Sequence, residues 1–295
     1  PLNSINLPSE NLLCFVKNKN NLIIGTKDTG AFEIDINTYK IGKKYTTENM
    51  LSSNYIYDIK IAQNGSIWFG SADQGITRLW PNKTKSFYKT NHGLASNLVT
   101  CFFEDQEQNM WIGTSDNGIS FLSSDCLDNY NKEDGLNENA LQAIKQDAMS
   151  NFWIASSGGG LQRFSENKQS IITQSYTTKN GFPDDFTTCI ALGNINNNNV
   201  WVGTKSKGLI NFDGQWTTKY TESEGLISNQ INSVFVDSKG LVWVGTAAGI
   251  ALFDGLKFQN LTTHDLEMKD HGVKSIIEDQ KGNIWFGTAG GLVRY

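Results

Sequence analysis

Directly after a Gly-Thr or Gly-Ser pair, this chain repeatedly sets out a short polar turn. The turns read Lys27-Asp28-Thr29, Ala72-Asp73-Gln74, Ser115-Asp116-Asn117 and Lys205-Ser206-Lys207, with Ser156-Ser157-Gly158, Ala247-Ala248 and Ala289-Gly290 in the same slot. Asp28, Asp73, Gln74, Asp116, Asn117, Lys205 and Lys207 thus supply carboxylates, amides and ammonium groups. Such a set hydrogen-bonds sugar hydroxyls, and its lysines can pair with a uronate or a sulfate. A second slot holds Asn54, Asn97, Asn139 and Asn229 in four copies but Asp185 and His271 in two others. Asn there reads as a residue that bonds its own loop; Asp185 and His271 depart from it and join the candidate ligand-binding set. Tyr55, Phe182 and Phe186 in the same loops are candidates for an aromatic platform.

Catalysis is harder to build from these residues. The histidines are His92, His264 and His271, and the run from His264 to His271 is the densest ligand-like segment. Its two His lack the i, i+4 spacing of a helical zinc site, and Lys269 between them opposes a cation. Asp184-Asp185 could pair as general acid and base, but adjacent residues of an extended chain point apart. There is no Gly-Lys-Ser/Thr phosphate loop and no Gly-x-Ser-x-Gly elbow, and Gly158-Gly159-Gly160 reads as a tight turn. No catalytic residue, metal or cofactor is expected.

The polar turns are carried by a phrase written seven times. It reads Ile284-Trp285-Phe286-Gly287-Thr288 near the C-terminus, and its anchor residues are 23, 68, 111, 153, 201, 243 and 285. The steps are 45, 43, 42, 48, 42 and 42. A period of about 42 residues carrying short β-rich runs is the signature of a propeller, one four-stranded blade per repeat. Within one repeat, Ile231–Val236, Leu241–Thr246, Ile250–Phe253 and Lys257–Leu261 read as antiparallel strands. Asp237-Ser238-Lys239-Gly240 turns the first pair, because Asp bonds its own backbone and Gly accepts positive φ. Strand reversal then places the turn after Gly-Thr and the loop into each blade on one face, and the Asp-x-x-Gly turns on the other. Trp68, Trp111, Trp153, Trp201, Trp243 and Trp285 are expected to wedge between blades. The glycines at 70, 113, 203, 245 and 287 are expected where backbones approach near the axis.

The expected fold is therefore all-β: a single seven-bladed β-propeller over residues 1–295. Its last blade is expected to be completed by the N-terminal strand, Leu2 to Leu7. The six-residue stretch Asn194 to Asn199 is expected to be a solvated extension in blade five. A net charge of −5 and pI near 5.3 argue against nucleic acid, which needs a basic stripe. No long apolar run or basic amphipathic segment suggests direct membrane contact. Cys14, Cys101, Cys126 and Cys189 are expected to be free buried thiols, since three of them fall in blades that are not neighbours. The chain opens on Pro1, and a targeting segment is expected to lie outside it.

The pattern Asn229-x-Ile231, Val236-Asp237-x-x-Gly240-x-x-Trp243-Val244-Gly245-Thr246, Gly249-Ile250-x-x-Phe253-Asp254 resembles the two-component regulator propeller repeat. Blades two, three, four, six and seven carry it well; blades one and five are degenerate. Its Asp-x-x-Gly-x-x-Trp portion also resembles a sialidase Asp-box, a structural turn. The resemblance implies a periplasmic or extracellular sensor region of a membrane histidine kinase, including hybrid kinases of Bacteroidetes that respond to polysaccharide fragments. The partner so implied is an oligosaccharide or other small polar ligand in the axial funnel, with a second propeller or a membrane-proximal domain as further candidates. A secreted protein-interaction scaffold and a polysaccharide lyase or hydrolase stay open as alternatives.

Overall fold

The computed structural model describes residues 7–123, 126–167, 170–193, 199–215, 217–261, 271–288 and 290–295. Six four-stranded antiparallel sheets and one sheet with three described strands follow one another along the chain. They span residues 12–45, 56–88, 99–130, 141–176, 187–220, 231–261 and 273–294, which we number as blades one to seven. Every sheet is a simple meander, each strand pairing with the one before it in sequence. The first strand of each blade packs against the first strand of the next, and that of blade seven returns to that of blade one. The ring is thus closed around the first strands, and the edges of the sheets radiate outward.

The blade read from sequence is found almost residue for residue. Ile231–Val236, Val242–Thr246, Ile250–Phe253 and Phe258–Leu261 are its four strands. Of the expected fourth strand of blade seven, Leu2 to Leu7, all but Leu7 lies outside the described residues, as do Asn194 to Asn198 and His264. Leu7, the first described residue, packs with Leu12, Trp285 and Leu292 where blades one and seven meet.

The core is divided into blade-to-blade layers rather than gathered in one centre. Trp68, for example, packs with Val99, Phe102 and Met110 of the next blade. The six predicted tryptophans are 1–6% exposed. Burying an indole requires a partner for its N–H, and the turn aspartate supplies it. Trp111, Trp153, Trp243 and Trp285 donate to Asp105, Asp147, Asp237 and Asp279 at 2.8–2.9 Å. The other carboxylate oxygen of Asp237 accepts the main-chain N–H groups of Lys239 and Leu241, both at 2.9 Å. One side chain therefore shapes the hairpin and anchors the wedge. Blade two has Ala62 at this position, and Trp68 donates instead to Ser66 at 3.1 Å.

The glycine of each phrase sits where blades approach near the axis. A Cβ on Gly245 would lie 2.2 Å from Ser233 Oγ and 2.7 Å from Val273 of blade seven. Cys14, Cys101 and Cys189 occupy the position of Ser233 in blades one, three and five, and are free thiols. Cys126 is also free but exposed, a correction to the expectation of burial. It lies on the outer strand of blade three, whose sheet edge faces away from the ring.

Candidate functional site

Main-chain hydrogen bonds bind the turns after Gly-Thr and the loops into the blades into one belt. Within blade five, Lys205 N donates to Phe186 O at 2.9 Å; the same link joins Lys27 to Asn11 at 3.0 Å and Ser115 to Leu98 at 3.0 Å. In blades one to five the glycine ending the turn then donates to the loop of the following blade, as Gly30 to Asn54 at 2.8 Å, Gly75 to Asn97 at 3.0 Å and Gly208 to Asn229 at 3.0 Å. These links confirm that turns and loops share one face, as strand reversal requires.

The threonine or serine of the phrase braces each turn from below. Thr204 Oγ1 donates to Gly208 O at 2.8 Å and accepts Lys207 N at 2.9 Å. Thr114 does the same for Gly118 and Asn117, and Ser71 for Gly75 and Gln74. Thr204 and Thr114 are fully buried, so the brace is rigid while the residues above it are free to differ. Lys27, Asp28, Asp73, Asp116, Asn117, Lys205 and Lys207 are all exposed on this rim.

Not all the candidate side chains are equally available. Asp28 accepts from Asn11 Nδ2 at 2.9 Å, and hydrogen bonds from Ser9 and Asn11 hold its carboxyl below the usual range. Gln74 accepts from Lys89 Nζ at 2.9 Å. Asp185 receives the main-chain N–H of Thr178 at 2.8 Å and its hydroxyl at 2.6 Å. Asn54, Asn97, Asn139 and Asn229 accept one N–H each in the same way, at 2.9–3.1 Å. Asp185 therefore locks its own loop, as the asparagines do. His271 is exposed at the matching position of blade seven. Asp73, Asp116, Asn117, Lys205 and Lys207 remain the outward-facing polar set, with the first three on blades two and three and the lysines on blade five.

The aromatic candidates divide sharply. Phe186 is 50% exposed, with Lys205 Nζ 5.8 Å from its ring centroid. Tyr55 has Lys27 Nζ at 6.0 Å from its ring. Phe182 is 5% exposed and packs with Trp153, Val202 and Phe212. It is a core residue, because it follows Gly181 as Leu94, Leu136 and Leu226 follow Gly93, Gly135 and Gly225, and those leucines are also buried. Sequence reasoning missed Glu138. A Cβ at Gly158 would lie 4.0 Å from both Glu138 Oε2 and Phe186 Cε1, so Gly158 leaves a notch between them, while Gly159 beside it is packed against Glu138 and Asn137. Glu138 also pairs with Lys132 at 3.3 Å. Glu138 of the loop into blade four and Phe186 of the loop into blade five thus flank the Gly158 turn, each with a lysine beside it.

Among the described residues, clefts of 260–290 Å³ also lie between neighbouring blades, one of them reaching the loop into blade five at Asn180 and Gly181. Another, between the turns of blades two and three on the other face, is lined by Arg78, Trp80, Glu104 and Glu107. Arg78 is stacked there 3.5 Å from Trp80 and 4.4 Å from Trp68. Among the described residues no group of His, Cys, Asp and Glu has metal-binding geometry.

Comparison with known proteins agrees with this architecture. A family model described as Two component regulator propeller matches residues 50–73, 93–116, 225–248 and 267–290. Each match runs from the loop entering a blade to the turn after its Gly-Thr or Gly-Ser pair. Histidine kinase P4 of Formosa agariphila is 34% identical over 92 residues, covering 25% of this chain and 7% of that protein. The extracellular domain of a protein described as a hybrid two-component system of B. thetaiotaomicron superposes with a TM-score of 0.86 at 23% identity, over 99% of this chain and 40% of that one. Virginiamycin B lyase of Staphylococcus aureus superposes with a TM-score of 0.77 at 12% identity, over 100% of this chain and 97% of that one. At these identities the structural likeness is one of fold, and the fold is shared by sensors and by an enzyme.

Proposed function

We propose that this chain, a propeller of two-component regulator repeats, is a non-catalytic ligand-binding module of an extracytoplasmic signalling protein. It recognises an oligosaccharide or similar polar ligand at the axial rim. One observation carries the reading: side chains differ from blade to blade at a belt in which a threonine or serine hydroxyl braces every turn from beneath. Asp73, Asp116 and Asn117 offer acceptors and an amide to hydroxyl groups, while Lys205 and Lys207 offer charge to a uronate or sulfate. Phe186, half exposed beside Lys205, offers a flat apolar surface to a sugar ring. The match to regulator repeats and to a histidine kinase supports a signalling context. The 92 aligned residues cover only 7% of that kinase, and no output step is assigned to this chain. Ligand would act by binding one of two arrangements of the larger protein more tightly than the other.

A thermal-shift screen against neutral and acidic oligosaccharides tests this, with product formation followed in the same wells. A ligand at 100 times its Kd adds about 2.7 kcal/mol to stability. The expected result is a stabilising oligosaccharide that is recovered unchanged. Turnover of the hit would replace this reading with a lyase or hydrolase. No response across the panel would replace it with a protein-interaction scaffold.

A further inference from the structure

The first strands build a second layer toward the other end of the axis, near the Asp-x-x-Gly turns. Its members are the residues paired with the anchor of each phrase: Val16 with Ile23, Lys60 with Trp68, Phe103 with Trp111, Lys145 with Trp153, Ala191 with Trp201, Phe235 with Trp243 and Ile277 with Trp285. Five of these side chains are apolar and two are lysines. Lys60 and Lys145 stand on blades two and four, separated only by Phe103 of blade three, since the three first strands pack side by side. Lys60 reaches over Phe103, its Nζ 6.0 Å from the ring. Lys145 is exposed, and its charge is felt at Asp58 of blade two, Cys101 of blade three and Cys189 of blade five. Only a position inside the ring is near all three blades.

Neither lysine forms an ion pair with a described residue, although the carboxylates of Asp58 and Glu104 lie near enough for their charge to act on Lys60. The one ion pair among the described residues is Lys132 with Glu138. Asp58, one pleat nearer the rim, has both oxygens engaged by main chain: Oδ1 accepts Ile59 N at 2.9 Å and Oδ2 accepts Phe102 N at 2.7 Å. Glu104 turns away and accepts Gln63 N through both oxygens at 2.9 Å. Two ammonium groups therefore share an inner layer walled by apolar side chains. Burial, and then the charge of Lys145, pull the Lys60 amine below its usual range, outweighing the opposite pull of Glu104 and Asp58. Like charges brought together in a partly dry site are unfavourable until a counter-charge joins them.

We infer that the axial channel binds a small oxyanion, a carboxylate, sulfate or phosphate group, between Lys60 and Lys145. This site is separate from the rim and does not depend on the reading of the rim. Its occupant is either a free ion or the acidic group of a larger molecule entering from the turn side.

The test is titration of the intact chain with inorganic phosphate, and separately with glucuronate, at fixed ionic strength. Binding is read by calorimetry and by the unfolding midpoint. Wild type is expected to bind one equivalent saturably, with Lys60→Met and Lys145→Met each weakening it at least tenfold and Lys219→Met, on the exposed outer strand of blade five, leaving it unchanged. Phosphate alone binding identifies a free ion; glucuronate binding with the same lysine dependence identifies a carried carboxylate. Should Lys60→Met fail to fold, Lys145→Met decides, since that side chain is exposed. The absence of saturable binding of both probes, or affinity equal in wild type and Lys145→Met, overturns the site.

Discussion

At the scale of single residues, the strongest couplings join a turn aspartate to an indole six positions later. Trp243→Ala removes a wedge that is 2% exposed and leaves a cavity between blades six and seven. It is expected to lower stability by about 3–5 kcal/mol in urea unfolding. Asp237→Ala strands the indole N–H and two main-chain donors, and is expected to lose about 1–3 kcal/mol. Asp58 gives a prediction of opposite kind. Burial pushes its carboxyl up to about 6, despite hydrogen bonds from Phe102 and Ile59 and the nearby charges of Lys145 and Lys60. The folded chain therefore holds this proton more tightly than the unfolded chain does. The stability it contributes is complete below about pH 4 and is lost as pH rises through about 6, amounting to at most about 3 kcal/mol. In Asp279, burial acts to raise the carboxyl, but hydrogen bonds from Asn283 and Trp285 outweigh it and the pKa is lowered. Its contribution has the opposite sign, present at neutral pH and lost in acid. Asp58→Asn keeps an acceptor for Phe102 N, so its stability relative to wild type should climb between pH 4 and pH 7. A flat difference across that range would show that the carboxyl is not held protonated by the fold.

At the scale of elements, the blades were legible because a period of two inside a period of about 42 leaves few alternatives. Strand ends differed by a residue, as at Val242 and Phe258. The one-turn helices Thr90–His92, Lys132–Asp134, Thr178–Asn180 and Glu222–Glu224 were not foreseen. Their signal was present: Asn131 and Asp134, or Thr221 and Glu224, form reciprocal caps, and Gly135 or Gly225 follows in the left-handed region. Each helix and its capping glycine tip the residue after that glycine into the blade interface, which is why Phe182 is core and not platform. Leu226→Ala should therefore cost about 2–5 kcal/mol even though it lies in a loop. Gly245→Ala should cost about 1–3 kcal/mol, because its methyl would meet Ser233 and Val273 at 2.2–2.7 Å. If both changes are neutral in denaturant unfolding, the blades do not meet as described.

At the scale of the whole molecule, a closed ring separates scaffold from surface. First strands, threonine braces and tryptophan wedges repeat, and their repetition made the fold readable. The rim was only half readable, because spacing places a residue on a face but does not say which partner takes its side chain. Asp185 and Asn54 share a slot and a role, and only the acceptor geometry at Thr178 and Thr47 reveals it. Glu138 was passed over because its neighbours across the Gly158 notch belong to other segments of the chain. Asp116→Ala and Lys205→Ala touch no brace, so each should change stability by no more than about 0.5 kcal/mol.

The measurement that bears most directly on the central claim is a binding isotherm for the best-stabilising oligosaccharide, run on wild type, Asp116→Ala, Lys205→Ala and Phe186→Ala. A rim that reads a polar ligand predicts at least a tenfold loss of affinity in one or more of the three variants, with unfolding midpoints unchanged. Affinity equal to wild type in all three, or a loss that only tracks lowered stability, would contradict it.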